Sequence, residues 1–509
     1  MFTHRKHDKI TLNINGQDIK IENSAKFLGL TFDSKLSWSA HIKYIEDKCK
    51  KRLNLMRAVS GNTWGASKKT LLTIYRALIR SIIDYGAIAY NTATESVKHR
   101  LDIIQQKALR IACGSFCTTA ASALQVETGE PPLLVRRTEQ ELKYAIKIRA
   151  TASHPAKPIT EFHWTTLSRK FKDHNLPFYN KTLEYLTDTK QHNIIEPKLP
   201  EKPPWHQTPC ITDSSLANGV KKDENPELLK SLALAKIESY SNSVHIYTDA
   251  SKTADNKTAA AYCIPKISVE NSFRLNNNIT IFTAELMALK LALLWVTNTL
   301  DEDVTIFSDS LSSLQALSTG KTDCRPNLLQ EIKELVSTYN KLITFVWIPS
   351  HIGIRGNETA DKLANRATQN TEIDLDIGLE LAEAYTLVEN YTLQKWQNMW
   401  TNGATGSHYR QIQKTVSKKV KYENSPRYKE VVITRLRFGK CRLNYYLHQI
   451  NEHPNGLREL CKKPETIIHF LLECPTGDTC SSVLTTCISL DILYSYTRSH
   501  KIQSYLGHI

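Results

Sequence analysis

A chain of 509 residues is long enough for about three domains of ordinary size, so one activity need not account for all of it. Its hydrophobic fraction, 41%, is that of a globular protein, and no apolar run reaches the roughly 20 residues that cross a bilayer, which excludes a chain built of membrane spans and predicts no membrane partner. The net charge of +15 is uneven: residues 1–150 hold 25 Lys and Arg against 13 Asp and Glu, residues 244–370 hold 12 against 13, and a basic surplus so placed suits a polyanion such as nucleic acid, with a solvated basic surface as the alternative.

The first residues, Met1-Phe-Thr-His-Arg-Lys6, are basic but lead into an alternating, strand-like stretch from Ile10 instead of a signal-peptide core. The 11 cysteines are odd in number and scattered, which argues against a disulfide framework and for a reducing compartment. The expected location is therefore intracellular, cytoplasmic or nuclear, and not secreted. Residues 35–150 read as helices, with stripes at three- and four-residue spacing through Leu71-Leu72, Tyr75, Leu78-Ile79 and Ile82-Ile83, and again through Leu101, Ile104, Ala108, Leu109 and Ala112. Nine of the 18 prolines collect between 151 and 243, among them Pro197, Pro200, Pro203, Pro204 and Pro209, and mark a linker.

From Val244 the period changes. Val244–Thr248 alternates as a strand, Thr258–Pro265 and Phe273–Leu275 suit the next two strands of a meander, and Thr283–Thr299 is a long apolar helix. A strand at Val304–Ser308, helices near 310–318 and 327–340, a strand at Leu342–Trp347 and a helix from Gly356 to Thr368 complete a mixed α/β order. The expected organisation is a helical region at 1–150, a linker at 151–243, an α/β domain at 244–370 and a helical tail at 371–509.

Four acids occupy telling places in the α/β domain. Asp249, in Tyr247-Thr-Asp-Ala-Ser251, and Asp309, in Phe307-Ser-Asp-Ser310, stand at strand ends, where ligands of such sheets collect. Glu285 opens an otherwise apolar helix in Thr283-Ala-Glu-Leu-Met-Ala-Leu289, an unsuitable surface for a merely solvated charge. Asp361 follows Asn357 by four residues, so the two share a helix face. Four carboxylates on one rim repel one another unless cations sit between them, and Mg²⁺, which prefers oxygen ligands, answers that need. Two such ions can activate water and stabilise a leaving oxygen in phosphodiester cleavage. His351, on the loop ten residues before Asp361, is placed to move protons or aid product release. Each residue alone also has a plain reading: Asp309 as a helix cap, Glu285 as part of a core helix, His351 as a surface loop residue.

Taken in order, these segments, with His351-Ile-Gly-Ile-Arg-Gly-Asn-Glu-Thr-Ala-Asp361 as the most specific, resemble the motifs of type 1 ribonucleases H over about 125 residues. The resemblance implies a mixed five-stranded sheet with flanking helices and hydrolysis of the RNA strand of RNA–DNA hybrids. It also implies two Mg²⁺ ions, replaceable by Mn²⁺, on Asp249, Glu285, Asp309 and Asp361, with His351 assisting. The flanks resemble the C-terminal part of non-LTR retrotransposon polyproteins: Phe27–Ile42 looks like the end of the reverse transcriptase region, and Ile83–Ala87 and Leu101–Arg110 like the thumb and connection. No Tyr-x-Asp-Asp polymerase motif occurs in the chain, which is therefore read as such a polyprotein part without fingers and palm. Arg435–Lys440 and Leu460–Pro475 resemble the tail of such polyproteins, where a Cys-x-x-Cys opens a Cys/His cluster; Arg458 stands where the resemblance puts the first Cys, leaving Cys461, His469 and Cys474, one ligand short of a structural zinc site, with buried thiols as the alternative. Two rival functions remain open: a catalytically inactive nucleic-acid-binding remnant, and a different nuclease or integrase on the same fold.

Overall fold

The computed structural model describes residues 12–19, 22–151, 153–157, 185, 194–195, 210–219, 225–422 and 425–474. The prolines of the expected linker from Pro197 to Pro209 lie outside these residues. By contact, the described residues fall into two compact units, 12–142 with 389–474, and 143–388.

The first unit begins with two antiparallel hairpins, β1 (Leu12–Ile14) with β2 (Gln17–Ile19) and β3 (Ser24–Phe27) with β4 (Leu30–Asp33). Helices follow, including α1 (Ser39–Ala58), α2 (Lys68–Tyr75) and α3 (Glu95–Cys113). Most of both apolar stripes lies inward, with Leu71, Leu72, Tyr75, Ile79, Ile83, Leu101, Ile104, Ala108, Leu109 and Ala112 buried, whereas Ile82 is half-buried and Leu78, one position off the buried face, is exposed. The same core takes in Trp396, Trp400 and Tyr409 from the far end of the chain, a pairing that no local period announces.

The second unit is built on a six-stranded sheet in the order β6 (Ile211–Asp213), β11 (Ile343–Trp347), β10 (Val304–Ser308), β7 (Val244–Lys252), β8 (Thr258–Ile264) and β9 (Val269–Leu275). The first four are mutually parallel and the last three form an antiparallel meander, so the sheet is mixed. Five of these strands are those expected from the alternation. The sixth, β6, adds an edge beside β11 and is too short for a two-residue period to be visible.

Strand residues alternate between two cores. Val244, Ile246, Ala260, Tyr262, Ile306 and Phe345 face one side, where they meet α6 (Ile281–Thr299) and α8 (Pro326–Thr338). Tyr247, Cys263, Phe307 and Val346 face the other, where they meet α9 (Arg355–Ala367) and Ala233 of α5 (Pro226–Glu238). The intervening helices are α4 (Leu133–Ala150) and α7 (Leu311–Thr319). Helix α6 is long and apolar enough by length and composition to cross a bilayer, but Ala284, Leu286, Ala288, Leu289, Ala292, Leu293 and Val296 are completely buried against the sheet side. Its composition follows from being the central core helix. It starts at Ile281, two residues before the expected Thr283, because Thr280 caps it by accepting a hydrogen bond from the Thr283 amide at 3.2 Å.

Beyond α9 the chain returns to the meander edge, pairing Leu375 with Leu275, then forms the two-residue strand β12 (Leu379–Glu380) beside β5 (Ile194–Ile195) and enters α10 (Leu381–Asn402).

Gly356, at the start of α9, lies so close to the Tyr247 ring that a Cβ there would come within 2.3 Å of two ring carbons. The contact lets α9 seat directly on β7. Gly356→Ala is expected to destabilise the sheet unit by about 1–3 kcal/mol through overpacking, as measured by urea unfolding, while an unchanged midpoint would show that Tyr247 yields freely.

Candidate active site

Register brings the first two acids together. The parallel pair β7–β10 ends at Thr248 opposite Ser308, so Asp249 and Asp309 follow side by side one residue beyond the last rung. Asp249 does not end its strand, as the sequence suggested. Strand β7 runs on to Lys252, and Asp249 still pairs with Ala261 of β8, but it stands where the parallel neighbour stops. Ligands of α/β sheets gather at this carboxyl end of parallel strands. Glu285 comes from α6 and lies in its second turn, not its first, because of the earlier helix start.

Ligand oxygens of Asp249, Glu285 and Asp309 all lie within 4.8 Å of one another. Asp361 is outside this tight group, half-buried on α9 yet near enough to hydrogen-bond Asp249 and to add its charge against both Asp249 and Asp309. Its Oδ1 accepts from the Asn365 amide at 2.7 Å, and Asn365 in turn accepts from Ser251 Oγ at 2.5 Å. Asn357, Asp361 and Asn365 recur every four residues and so line one face of α9. Asn357 reaches the sheet end and donates to Asp309 Oδ2 at 3.4 Å. His351 is exposed, in a left-handed backbone conformation (φ 55°), and its charge acts on Asp309 from the loop. Asn365 and Ser251 carry no signal of their own in the sequence beyond the four-residue spacing to Asp361.

Compensation for the buried negative charge is sparse. Burial, the neighbouring Asp309 and then Asp361 push the Asp249 carboxyl up to about 8, against a single opposing hydrogen bond from the Ala250 amide. Burial, then Asp249 and Asp309, hold Glu285 well above the usual carboxylate range. Asp309 is raised by burial despite the Asn357 hydrogen bond and the His351 charge. Glu285 Oε2 and Asn357 Oδ1 are buried with no hydrogen-bond partner among the described residues. Orphaned oxygens among crowded carboxylates fit a hard divalent cation such as Mg²⁺ or Mn²⁺, which binds oxygen donors and removes the repulsion.

The sequence profile of the family described as RNase H matches residues 241–369, the stretch that spans β7 to α9. Residues 241–369 are an RNase H domain. The chain is similar to a retrovirus-related Pol polyprotein of the type-1 retrotransposable element R1 4 from Nasonia vitripennis, 24% identical over 138 residues that make up 27% of this chain and 35% of that protein. It is also similar to a putative 115 kDa protein of the type-1 retrotransposable element R1DM of Drosophila melanogaster, 27% identical over 27% of this chain and 14% of the relative. A third relative is the RNA-directed DNA polymerase of the mobile element jockey, also of Drosophila melanogaster, 27% identical over 22% of this chain and 12% of the relative. The matched stretch thus spans about a third or less of each relative. The family in general uses divalent metals, in keeping with the oxygen-rich set beside α9.

A second group of possible ligands lies in the other unit. Cys461 Sγ is 3.0 Å from His469 Nε2 and 3.8 Å from Cys474 Sγ, and the three ligand atoms lie within 4.8 Å of one another. Arg458, in place of the fourth ligand, stacks its guanidinium over Phe470 at 4.7 Å and lies 4.0 Å from Glu465. Three protein ligands are one short of a closed tetrahedral zinc site.

A raised carboxyl pKa has a defined linkage. The folded state holds its proton up to about pH 8 for Asp249, whereas the unfolded chain releases it near 4, so stability associated with this group is present at low pH and lost as pH rises between those values. In metal-free buffer, Asp249→Asn is expected to gain Tm over wild type as pH rises from about 4 to about 8, reaching about 5 °C or more at the upper end. Added Mg²⁺ is expected to shrink the difference. A Tm difference independent of pH would mean that Asp249 is not buried as a crowded acid.

Proposed function

We propose that the RNase H domain hydrolyses the RNA strand of RNA–DNA hybrids with divalent metal ions held by Asp249, Glu285, Asp309 and Asp361. The observation that carries this reading is the crowding of three carboxylates within 4.8 Å, one of them with a buried oxygen that nothing among the described residues satisfies. Bound Mg²⁺ or Mn²⁺ supplies Lewis-acid activation of water and stabilisation of the leaving oxygen. The chain's own residues do the rest. Asn357 fixes the Asp309 carboxylate through its amide, and the Asn365 and Ser251 relay fixes that of Asp361. His351, exposed beside the acids, is placed to exchange protons with water and to assist product departure. RNA is distinguished from DNA by contacts to its 2′-hydroxyls across the wide minor groove.

Because this domain is nearly neutral, the basic surplus of residues 1–150 is proposed as a further holder of backbone phosphate. Removing that stretch would open the core it shares with Trp396 and Trp400, so charge is better removed at the exposed Lys43, Lys48 and Lys51 of α1. Replacing all three with Gln is expected to weaken hybrid binding and to flatten its dependence on salt, since fewer condensed cations are displaced. An unchanged salt slope would remove α1 from the binding surface.

The decisive comparison is a cleavage time course on a labelled hybrid, beside duplex RNA and duplex DNA, for wild type, Asp309→Asn and His351→Ala. Asp309→Asn removes charge from the ligand set at constant size and is expected to lower the rate on the order of a thousandfold or more. His351→Ala is expected to cost about a hundredfold or less, because water partly replaces a proton carrier. Hybrid binding measured in Ca²⁺ should survive both changes. Wild-type protein that binds hybrid but does not cut it in Mg²⁺ or Mn²⁺ would instead establish a binding remnant, and Asp309→Asn cutting at the wild-type rate would refute the ligand assignment.

A further inference from the structure

Helix α6 places Glu285 in the acid cluster, yet its own first turn contains no acidic residue to face the positive end of the helix dipole. Half of a capping box is present: Thr280 Oγ1 accepts from the Thr283 amide at 3.2 Å. In a complete box the side chain three residues into the helix would reach back to the amide of the capping residue. That position is Thr283, which is too short, and the missing half arrives from Glu383, a hundred residues on.

Glu383 is buried, at 1% exposed, at the start of α10. Its Oε1 accepts from the Thr280 amide at 3.1 Å, from Thr280 Oγ1 at 3.3 Å and from Thr283 Oγ1 at 2.7 Å. Its Oε2 accepts from the Glu380 amide at 3.1 Å and pairs with Arg325 at 2.6 Å. Arg325 is itself almost fully buried and holds a left-handed conformation (φ 56°) that an arginine adopts only at a cost. Its guanidinium also donates to the carbonyls of Ile377 at 3.1 Å and Gly378 at 2.6 Å, and its amide to Glu380. The segment that delivers Glu383 is tied to the meander edge, where Asp374 accepts from the Arg274 amide at 2.7 Å. Glu383 and the segment from Asp374 to Glu380 that delivers it lie beyond residue 369, outside the stretch matched to the family.

We infer that Glu383 is a positioning residue for Glu285: by completing the cap of α6 from outside the matched domain, it fixes the turn that aims the Glu285 carboxylate at Asp249 and Asp309. A helix end without its cap frays over its first turn, and Glu285 is the second residue beyond Thr283. The inference rests on the proposed metal-dependent function. Outer partners that orient metal ligands change metal affinity about 10- to 100-fold when removed.

The test measures Mn²⁺ binding to the full chain by titration calorimetry, together with hybrid binding in Ca²⁺. Wild type, Glu383→Ala, Thr283→Val, Glu285→Gln and the double variant Glu285→Gln with Glu383→Ala are compared. Glu383→Ala is expected to weaken Mn²⁺ binding about tenfold with hybrid affinity unchanged, and to add nothing further once Glu285 is replaced. Thr283→Val removes one hydrogen bond to Glu383 and should weaken Mn²⁺ by a smaller factor; it carries the decision if Glu383→Ala does not fold. Wild-type Mn²⁺ affinity in a folded Glu383→Ala, or in Thr283→Val should the former not fold, would overturn the inference. Equal losses from Glu383→Ala with and without Glu285 would overturn it too, since the residue would then act on the fold alone. If wild type itself binds no Mn²⁺, the metal-dependent reading falls and takes this inference with it; wild-type binding with an indifferent Glu383→Ala removes the inference and leaves that reading standing.

Discussion

Repulsion among carboxylates that the sheet register forces together is the interaction on which the rest of the second unit depends. Asp249 and Asp309 are neighbours because Thr248 and Ser308 are, and no side-chain adjustment separates groups placed by two paired backbones. The apolar contacts of α6 and α9 on opposite faces supply the stability that keeps these acids in so unfavourable a place.

The first unit shows what the same chain does with a buried acid whose role is structural. Glu127 receives Lys68 at 2.6 Å, Arg437 at 3.2 Å and the Tyr409 hydroxyl. Although burial alone would raise it, those partners, Lys68 foremost, bring its carboxyl down to about 2. Glu130 is likewise held by Arg76 at 2.6 Å and Arg80 at 3.0 Å. Around Asp249, Glu285 and Asp309 no Lys or Arg comparably paired occurs among the described residues, and the oxygens point at one another. A buried acid that merely stabilises a fold is paired; acids left crowded and unpaired are arranged for something brought from outside.

Periodicity made most of this architecture legible before any coordinates. The strand at 304–308, the apolar helix of Glu285 and the helix of Asp361 follow directly from two-residue and near-four-residue spacing, and the acids could be assigned because each sits beside such an element. Strand β6 was not legible, because three residues cannot display a period and its pairing with β11 crosses a long stretch of chain. The seat of Trp396 and Trp400 in the N-terminal core was hidden for the same reason. Glu383 was hidden differently: an acid at the start of an ordinary helix looks like a favourable first-turn charge, and only the fold shows that its carboxylate belongs to the helix of another segment. The shift of Glu285 from first to second turn followed from one missed cap, Thr280.

The two edges of the sheet share one property. On one side the parallel edge of β11 is covered by β6, from residues 211–213; on the other, the end of β9 is met by Asp374 and Leu375. Both covers lie outside residues 241–369. A fragment trimmed to those limits would therefore expose the outer amides and carbonyls of β11 and the Arg274 end of β9, and neighbouring molecules could add their own strands there. Self-association of such a fragment would thus reflect where it was cut, and the boundaries that keep both covers are wider than those that keep the acids.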